Sequence, residues 1–173
     1  MKPRVLWVLG SDSDLPHVES GFEQLKSMKV PFDVRILSAH RTPDHVGELA
    51  AGARAAGVEV IVGVAGGAAH LAGVLAAAST LPVIGVPIPT GFAGGLDSLL
   101  SVVQMPSGIP VATVAANKAG GKNAALLAVR IMAVADSNLA EALDQHKASM
   151  REAVLAKDQA VSKKLRDAQM QEG

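Results

Sequence analysis

The sequence predicts an α/β protein of three layers, in which helices cover both faces of a parallel sheet of about five strands. Two observations lead to this prediction. Short apolar runs alternate with segments of helical periodicity along most of the 173 residues, and small or polar residues follow each apolar run. One of these runs, residues 58–65, is almost entirely apolar, as expected of a strand buried on both faces.

The first half of the chain contains the first two strands and two helices. Residues 5–9 form an apolar run that ends at a glycine, and residues 15–28 carry apolar side chains at helical spacing. A second strand over residues 32–37 is indicated by alternating apolar residues. Thr42-Pro43 is typical of a helix start, with the threonine as N-cap, and Gly57 is the expected C-cap of that helix.

The third strand is the apolar run already described, and the second half of the core continues the alternation. An alanine-rich helix follows residues 66–67, and a strand follows at residues 82–86. Residues 96–105 are predicted to be helical and to end before a proline. Residues 110–115 form the fifth predicted strand, and residues 123–135 form a largely apolar helix.

The C-terminal part predicts one long helix. Apolar pairs four residues apart recur every eleven residues, close to three helical turns, and therefore line one narrow stripe. These pairs are Leu139/Leu143, Met150/Val154 and Val161/Leu165. We expect this helix to pack on another subunit, with a frayed tail as the alternative for the last ten residues. The chain is thus expected to be a single domain over residues 1–173, with a core at about 4–136 and a helical extension at about 138–170.

Composition and charge exclude several classes of function. Lys and Arg total 16, as do Asp and Glu, so there is no basic excess of the kind that nucleic-acid binding requires. The absence of cysteine excludes disulfides, thiolate catalysis and cysteine metal sites. The apolar segment at the N-terminus is too short for a signal peptide or a membrane span, so we expect a soluble, cytoplasmic protein without a membrane partner.

Polar residues and glycines are concentrated after the predicted strands, where ligands bind in open parallel sheets. The first such loop runs from Gly10 to Asp14 and leads into a helix N-terminus, where free N–H groups favour an anion. Ser11 and Ser13 are candidate hydroxyl donors to a phosphate, whereas Asp14 suits a ribose hydroxyl. Capping of the helix by Ser13 and Asp14 is an equally good interpretation of this loop.

The loop after the second strand contains Ser38, Ala39, His40 and Arg41. Arg41 is suited to bidentate binding of phosphate oxygens. His40 is a candidate for proton transfer, because histidine is the side chain that gains and loses a proton near neutral pH. Since many His-Arg dipeptides are ordinary surface residues, the position of this one at a strand end is what favours function.

The loop after the third strand is built from small residues. Gly66, Gly67, Ala68 and Ala69 allow the backbone to come close to a planar ligand, because no large side chain protrudes from them. His70 follows at a helix start, as a residue behind the site or as a hydrogen-bonded packing histidine. No pair of histidines or carboxylates has metal-ligand spacing, so no metal site is predicted. The other histidines are expected in solvent: His17, His45 and His146.

Together these loops resemble one family, the N5-carboxyaminoimidazole ribonucleotide mutases of bacterial purine synthesis. The similar stretches run in the family's order from about residue 5 to residue 136. They are residues 10–14, 37–44, 65–71, 85–87, 96–101, 103–106, 108–111 and 123–128. The resemblance implies a flavodoxin-like (Rossmann-like) subunit, a homo-octamer whose C-terminal helices reach across subunits, a ribonucleotide substrate and no cofactor.

The resemblance also implies roles for individual residues. Ser11, Asp14 and Arg41 would hold the ribose 5-phosphate end, and His40 would be the general acid and base. The other substrate-binding positions that it implies are Gly10, Ser13, Ser38, Ala39, Ala65, Gly66, Gly67, His70, Ser101, Met105 and Pro106. The family commonly has proline at the position of Ala72, and residues 88–95 are less typical of it.

Two other functions stay open at this point. A related branch of the family carboxylates aminoimidazole ribonucleotide directly with CO2. As that branch often has lysine in place of Arg41 and lacks the stretch at residues 66–70, these residues favour the mutase. A non-catalytic nucleotide-binding module would need the phosphate loop but would have no use for His40.

Overall fold

The structure is a computed structural model that describes residues 2–171 of the chain, with side chains to residue 169. The strands are β1 (Val5–Leu9), β2 (Phe32–Ile36), β3 (Val60–Gly66), β4 (Val83–Ile88) and β5 (Ala112–Thr113). The helices are α1 (Leu15–Ser27), α2 (Pro43–Gly52), α3 (Leu71–Ala78), α4 (Leu96–Val103), α5 (Gly120–Ala133) and α6 (Ser137–Gln171). A short 3-10 turn, Asp12–Asp14, precedes α1.

The five strands form one parallel sheet in the order β2-β1-β3-β4-β5. The chain leaves β1 for β2 on one side and then crosses β1 to reach β3 on the other side. Leu9, at the carboxyl end of β1, is in register with Ile36 of β2 and Val64 of β3. This order confirms the predicted fold class, and it creates a crevice where the loops after β1 and β3 diverge.

The core is aliphatic, as the low aromatic content requires, except for one aromatic cluster. Trp7 on β1 is fully buried and meets Phe22 of α1 edge-on, with ring centroids 5.1 Å apart. Phe22 in turn stacks on Phe32 at 5.4 Å. The opposite face of β1 places Leu6 and Val8 in a cluster of aliphatic side chains that includes residues of α2 and α3.

Two helices approach each other without side chains between them. A Cβ at Gly21 of α1 would lie 2.5 Å from the carbonyl oxygen of Gly121 of α5 and 2.8 Å from Cη2 of Trp7. A Cβ at Gly121 would lie 2.7 Å from Cα of Val18. Glycine is therefore needed at both positions for α1 and α5 to pack this closely.

The structure corrects several predicted boundaries. α2 ends at Gly52, and Gly57 instead closes the turn that follows, with φ +96°. The hydroxyl of Thr42 does not cap α2. It accepts the backbone N–H of Ser38 and donates to the Ser38 carbonyl, both at 3.0 Å. The fifth strand is only two residues long, and α5 begins at Gly120 rather than near residue 123.

The chain divides into two compact units, one up to Met132 and one from Ala133. The second unit is essentially the long helix α6, and its apolar pairs Met150/Val154 and Val161/Leu165 are exposed. Across residues 2–171 there is no helix with the length and apolar character needed to cross a membrane. The expectation of a single domain stays a prediction.

Candidate active site

A cleft of about 300 Å³ lies at the carboxyl edge of the sheet, where the loops after β1, β2 and β3 meet. The sequence concentrates polar residues and glycines in four loops, after the first four strands, and the fourth, residues 87–95, does not line this cleft. The residues that line the cleft are Gly10, Ser11, Asp14, Ser38, Ala39, His40, Ala65, Gly66, Ala69, His70 and Leu71.

The loop after β1 is tied together by a capping box. The Asp14 carboxylate accepts the backbone N–H of Ser11 at 3.1 Å, and the Ser11 hydroxyl accepts the N–H of Ser13 at 3.3 Å. The hydroxyl of Ser13 donates to that of Ser11 at 2.8 Å. The cap closes the 3-10 turn with Ser11 rather than Ser13 as its N-cap, and the side chain of Asp14 makes no cap bond to α1.

Asp14 is unusual for a carboxylate, because its side chain is almost completely buried, at 8% exposure. Burial raises the pKa of Asp14 above its ordinary value, and the Ser11 N–H and the nearby His17 only partly counteract it. A buried carboxylate in a cleft is a candidate binding group, because its remaining lone pairs can accept hydrogen bonds from a ligand.

The loop after β2 is held by Ser38. Its hydroxyl accepts the backbone N–H groups of His40, at 3.3 Å, and Arg41, at 3.2 Å. His40 faces the main cleft, whereas Arg41 lines an adjoining groove of about 230 Å³ whose wall it shares with Gly10 and Ser38. A ligand that reaches across Gly10 can therefore contact both residues.

His40 and His70 form a direct pair. Nε2 of His40 lies 2.7 Å from Nδ1 of His70, and the two rings meet edge to face with centroids 4.9 Å apart. A bond of this length between ring nitrogens requires one of them to carry a proton and the other to present a lone pair. The pair thus holds one proton between two groups that can each release it.

The loop after β3 has an uncommon backbone. Gly67 has φ +65°, Ala69 has φ +45°, and the N–H of Ala69 donates to the carbonyl of Gly66 at 3.2 Å. A non-glycine residue in the left-handed region is disfavoured, and such residues are enriched at functional sites. This turn is what delivers His70 to the start of α3 beside His40.

Comparison with known proteins shows the family. A family model described as "AIR carboxylase" matches residues 4–153, most of the chain. The chain belongs to the AIR carboxylase family. The N5-carboxyaminoimidazole ribonucleotide mutase of Bacillus subtilis is 47% identical over 155 residues, which cover 90% of this chain and 96% of that protein. The mutase of Pyrococcus horikoshii is 51% identical, with 88% and 85% covered.

Other AIR carboxylase relatives are much longer. The chloroplastic phosphoribosylaminoimidazole carboxylase of Vigna aconitifolia is 49% identical over 86% of this chain, and the chain spans only 26% of that protein. Among solved structures, a variant of PurE2 from Treponema denticola has a TM-score of 0.83 at 30% identity, covering 91% of this chain and 97% of the other. PurE from the same organism has a TM-score of 0.81 at 30% identity.

Within this member of the AIR carboxylase family, the cleft brings together most of the predicted site residues. Ser13 and Gly67 do not line the cleft. The hydroxyl of Ser13 donates to that of Ser11, and Gly67 donates its N–H to the hydroxyl of Ser98 at 2.9 Å. The predicted residues of the later segment also lie outside the cleft walls: Ser101, Met105 and Pro106. Their role in binding stays a prediction.

Sequence reasoning missed two features of the site. Leu71 lines the cleft, and the contact between His40 and His70 was not anticipated. The signal for Leu71 was its place in the stretch that resembles the family. The contact had no local signal, because the two histidines are thirty residues apart.

Metal ligation was not predicted, and residues 2–171 contain no group of three or more His, Asp or Glu arranged to hold a metal ion. Of the histidines expected in solvent, His45 is exposed, whereas His17 and His146 are half-buried. The expectation for His17 and His146 was therefore wrong. The half-buried His17 lies close enough to Asp14 to act on its charge.

Proposed function

We propose that this chain is an N5-carboxyaminoimidazole ribonucleotide mutase, an isomerase of de novo purine synthesis. It moves a carboxylate from N5 to C4 of the substrate's aminoimidazole ring. The observation that carries the proposal is the His40–His70 pair in the cleft of a chain that spans 96% of the Bacillus subtilis mutase. The pair supplies what this reaction needs, a group that gives a proton and takes one back.

The substrate is a small ribonucleotide held across the loops after β1 and β2. The hydroxyl of Ser11 and the exposed guanidinium of Arg41 bind the 5-phosphate, and the hydroxyl of Ser13 contacts that of Ser11. The Asp14 carboxylate accepts hydrogen bonds from the ribose hydroxyls. Its burial supports this role, because a carboxylate with little water around it gains more from each hydrogen bond that a ligand brings.

The reaction needs one proton in each direction. In the first half, the bond between N5 and the carboxylate breaks, CO2 is released and N5 takes a proton. In the second half, C4 attacks that CO2, and the proton on C4 is removed so that the ring is aromatic again. His40 donates the first proton and accepts the second, and His70 holds the imidazole of His40 in place through the 2.7 Å contact.

The CO2 must stay in the cleft between these two halves. Ala65, Gly66 and Ala69 present only small groups there, which leaves room for CO2 beside the ring. However, His40 and His70 are both exposed in the single chain, so something further must cover the cleft. A neighbouring subunit is the cover that we propose.

A homo-octamer in the cytoplasm is the assembly that we propose. The support within the chain is an exposed apolar surface on and just before α4, formed by Phe92, Leu96, Leu100 and Val103. Three of these four residues, Leu96, Leu100 and Val103, lie within α4 at spacings of four and three, so they lie along one side of the helix. A large exposed apolar surface of this kind marks a protein–protein contact.

Direct carboxylation of aminoimidazole ribonucleotide is the second candidate. Carboxylases from Vigna aconitifolia and Saccharomyces cerevisiae are 49% and 48% identical to this chain, as similar as the mutases are. Label retention separates the two reactions. With substrate labelled with 13C in the carbamate and an excess of unlabelled bicarbonate, a mutase gives labelled product, whereas a carboxylase gives unlabelled product.

A further inference from the structure

The buried hydroxyl of Ser98, outside the cleft walls, bonds the backbone of the loop after β3. Ser98 lies in the first turn of α4 and has no exposed surface. It is one of only three buried polar side chains among the described residues, with Asp14 and Gln24. Its hydroxyl accepts the N–H of Gly67 at 2.9 Å, across 31 residues of sequence.

The residue beside Ser98 holds a second loop. The Asp97 carboxylate accepts the hydroxyl of Thr90 at 2.6 Å, and this bond, more than any other contact, lowers the pKa of Asp97. Smaller contributions in the same direction come from hydrogen bonds with Ser98. The start of α4 therefore anchors the loop after β3 through Ser98 and the loop after β4 through Asp97.

The anchored loop is the one that presents His70. Its backbone passes through the left-handed region at Gly67 and again at Ala69, which is buried. A conformation of this kind persists only where surrounding contacts fix it. The contacts that fix it are the bond from Gly67 to Ser98 and the bond from Ala69 to the Gly66 carbonyl. His70 follows directly and reaches His40 at 2.7 Å.

We infer that Ser98 is a positioning residue of the reaction: its hydroxyl holds the Gly66–Gly67 backbone in the conformation that sets His70 against His40. Ser98 does not touch the cleft and acts through the loop. The expected effect of Ser98 on turnover rests on the proposed function. Its expected effect on the loop and on the two histidines does not.

The structural part is tested without any substrate. In Ser98→Ala the Gly67 N–H loses its acceptor, so hydrogen exchange of peptides that cover residues 63–71 should become at least tenfold faster. The ring signals of His40 and His70, assigned by NMR with His40→Asn and His70→Asn, should shift. Ser27→Ala is the matched control, because it removes a hydroxyl bonded to the Gln24 carbonyl in α1. It should leave both measurements unchanged.

The kinetic part uses the same variants. Ser98→Ala should lower kcat roughly ten- to hundredfold, the effect of leaving one amide unsatisfied, and change KM less than about threefold. KM should change little because the phosphate-binding loops are not altered. The pH profile of kcat should also move. Asp97→Asn removes only the charge next to Ser98 and should change kcat and its pH profile in the same direction, but less. This variant tests the inference if Ser98→Ala does not fold.

The outcomes separate the two claims. If the wild-type protein does not turn over N5-carboxyaminoimidazole ribonucleotide, the proposed function fails, and hydrogen exchange and the histidine signals alone decide the role of Ser98. If exchange over residues 63–71 and the histidine signals do not change in Ser98→Ala, the inference is wrong. It is also wrong if exchange rises while kcat and its pH profile stay at wild-type values, since Ser98 would then be structural only.

Discussion

His40 gains its significance from a residue thirty positions away. An exposed histidine in a surface loop is common, and its neighbour Arg41 does not distinguish it from other loop histidines. The contact with His70 does, because it fixes the orientation of the ring and places a second nitrogen where a proton can be stored. At the scale of single residues, the site depends on this pair and on the buried carboxylate of Asp14.

The first expectation concerns His40. His40→Asn keeps a hydrogen-bonding side chain of similar size but cannot transfer a proton, so kcat should fall by about 10²- to 10⁴-fold. Binding of aminoimidazole ribonucleotide, measured by calorimetry, should change little. His45→Asn is the matched control, because His45 is exposed on α2 and does not line the cleft. Undiminished turnover by His40→Asn would refute the role of His40 as acid and base and would favour a non-catalytic module.

The second expectation concerns the pH dependence that Asp14 adds to stability. Burial raises the pKa of Asp14 in the folded protein. The contribution of Asp14 to the free energy of unfolding is therefore most favourable below its ordinary pKa of 3.8, and it is lost as the pH rises through the pKa of the folded protein. Asp14→Asn removes the burial of a charge and keeps an acceptor for the Ser11 N–H. Its Tm should therefore equal or exceed that of the wild type at pH 7.

Thermal unfolding of both proteins from pH 7 down to pH 4 measures this difference. The advantage of Asp14→Asn should shrink as the wild-type carboxyl takes up its proton. The same variant should raise KM roughly ten- to hundredfold, since a charged acceptor for the ribose hydroxyls is lost. A variant that is less stable than the wild type at pH 7 but equal to it at acid pH would show that the sign is wrong.

At the scale of elements, the contact between α1 and α5 leaves no room for a side chain at Gly21. Gly21→Ala should destabilise the protein by about 2–3 kcal/mol, because its Cβ would meet the Gly121 carbonyl and the Trp7 ring, neither of which can move freely. Gly47→Ala in α2 is the control. A Cβ there has nothing within 4 Å, so the change should stabilise the helix by about 0.5–1 kcal/mol. Denaturant unfolding measures both, and equal effects would contradict this packing.

The elements that could be predicted are those with a strong local pattern. β1 begins and ends where its apolar run does, since it is a central strand buried on both faces. β5 is shorter than predicted because it is an edge strand that pairs only with β4, so apolar residues beyond the pairing do not extend it. α2 ended early because the residues after Gly52 form turns that a helical pattern does not reveal.

The candidate site also has a part that the sequence predicts and a part that it does not. The three loops at its edge could be predicted because glycine, serine and histidine after a buried run carry a local signal. The contact between His40 and His70, and the bond from Gly67 to Ser98, could not be, because each joins residues about thirty positions apart. A serine in an apolar helix segment carries no sign that its hydroxyl will be buried against another loop.

At the scale of the whole molecule, the order of the strands explains why three loops are enough for one site. β1 lies between β2 and β3, so the loops that follow these three strands open on the same edge. We propose that the exposed surface on α4 contacts further copies of the chain. The described part of one chain leaves His40 and His70 exposed, and we expect assembly to cover the cleft.

The expectation for assembly is a particle of eight 17.6 kDa chains. Light scattering coupled to size-exclusion chromatography measures its mass directly. Leu100→Lys places a charge in the exposed surface on α4 and should reduce the mass of the particle. Val134→Lys, at another exposed apolar position, should not. A wild-type protein that runs as a monomer would contradict the proposed octamer.

One assay tests the proposed mutase reaction. Purified protein is mixed with freshly prepared N5-carboxyaminoimidazole ribonucleotide in the absence of ATP, metal ions and added bicarbonate, and absorbance follows the C4-carboxylated product. We expect rapid product formation that His40→Asn abolishes. Activity that appears only with aminoimidazole ribonucleotide and high bicarbonate would contradict the claim and assign the chain to the direct carboxylases.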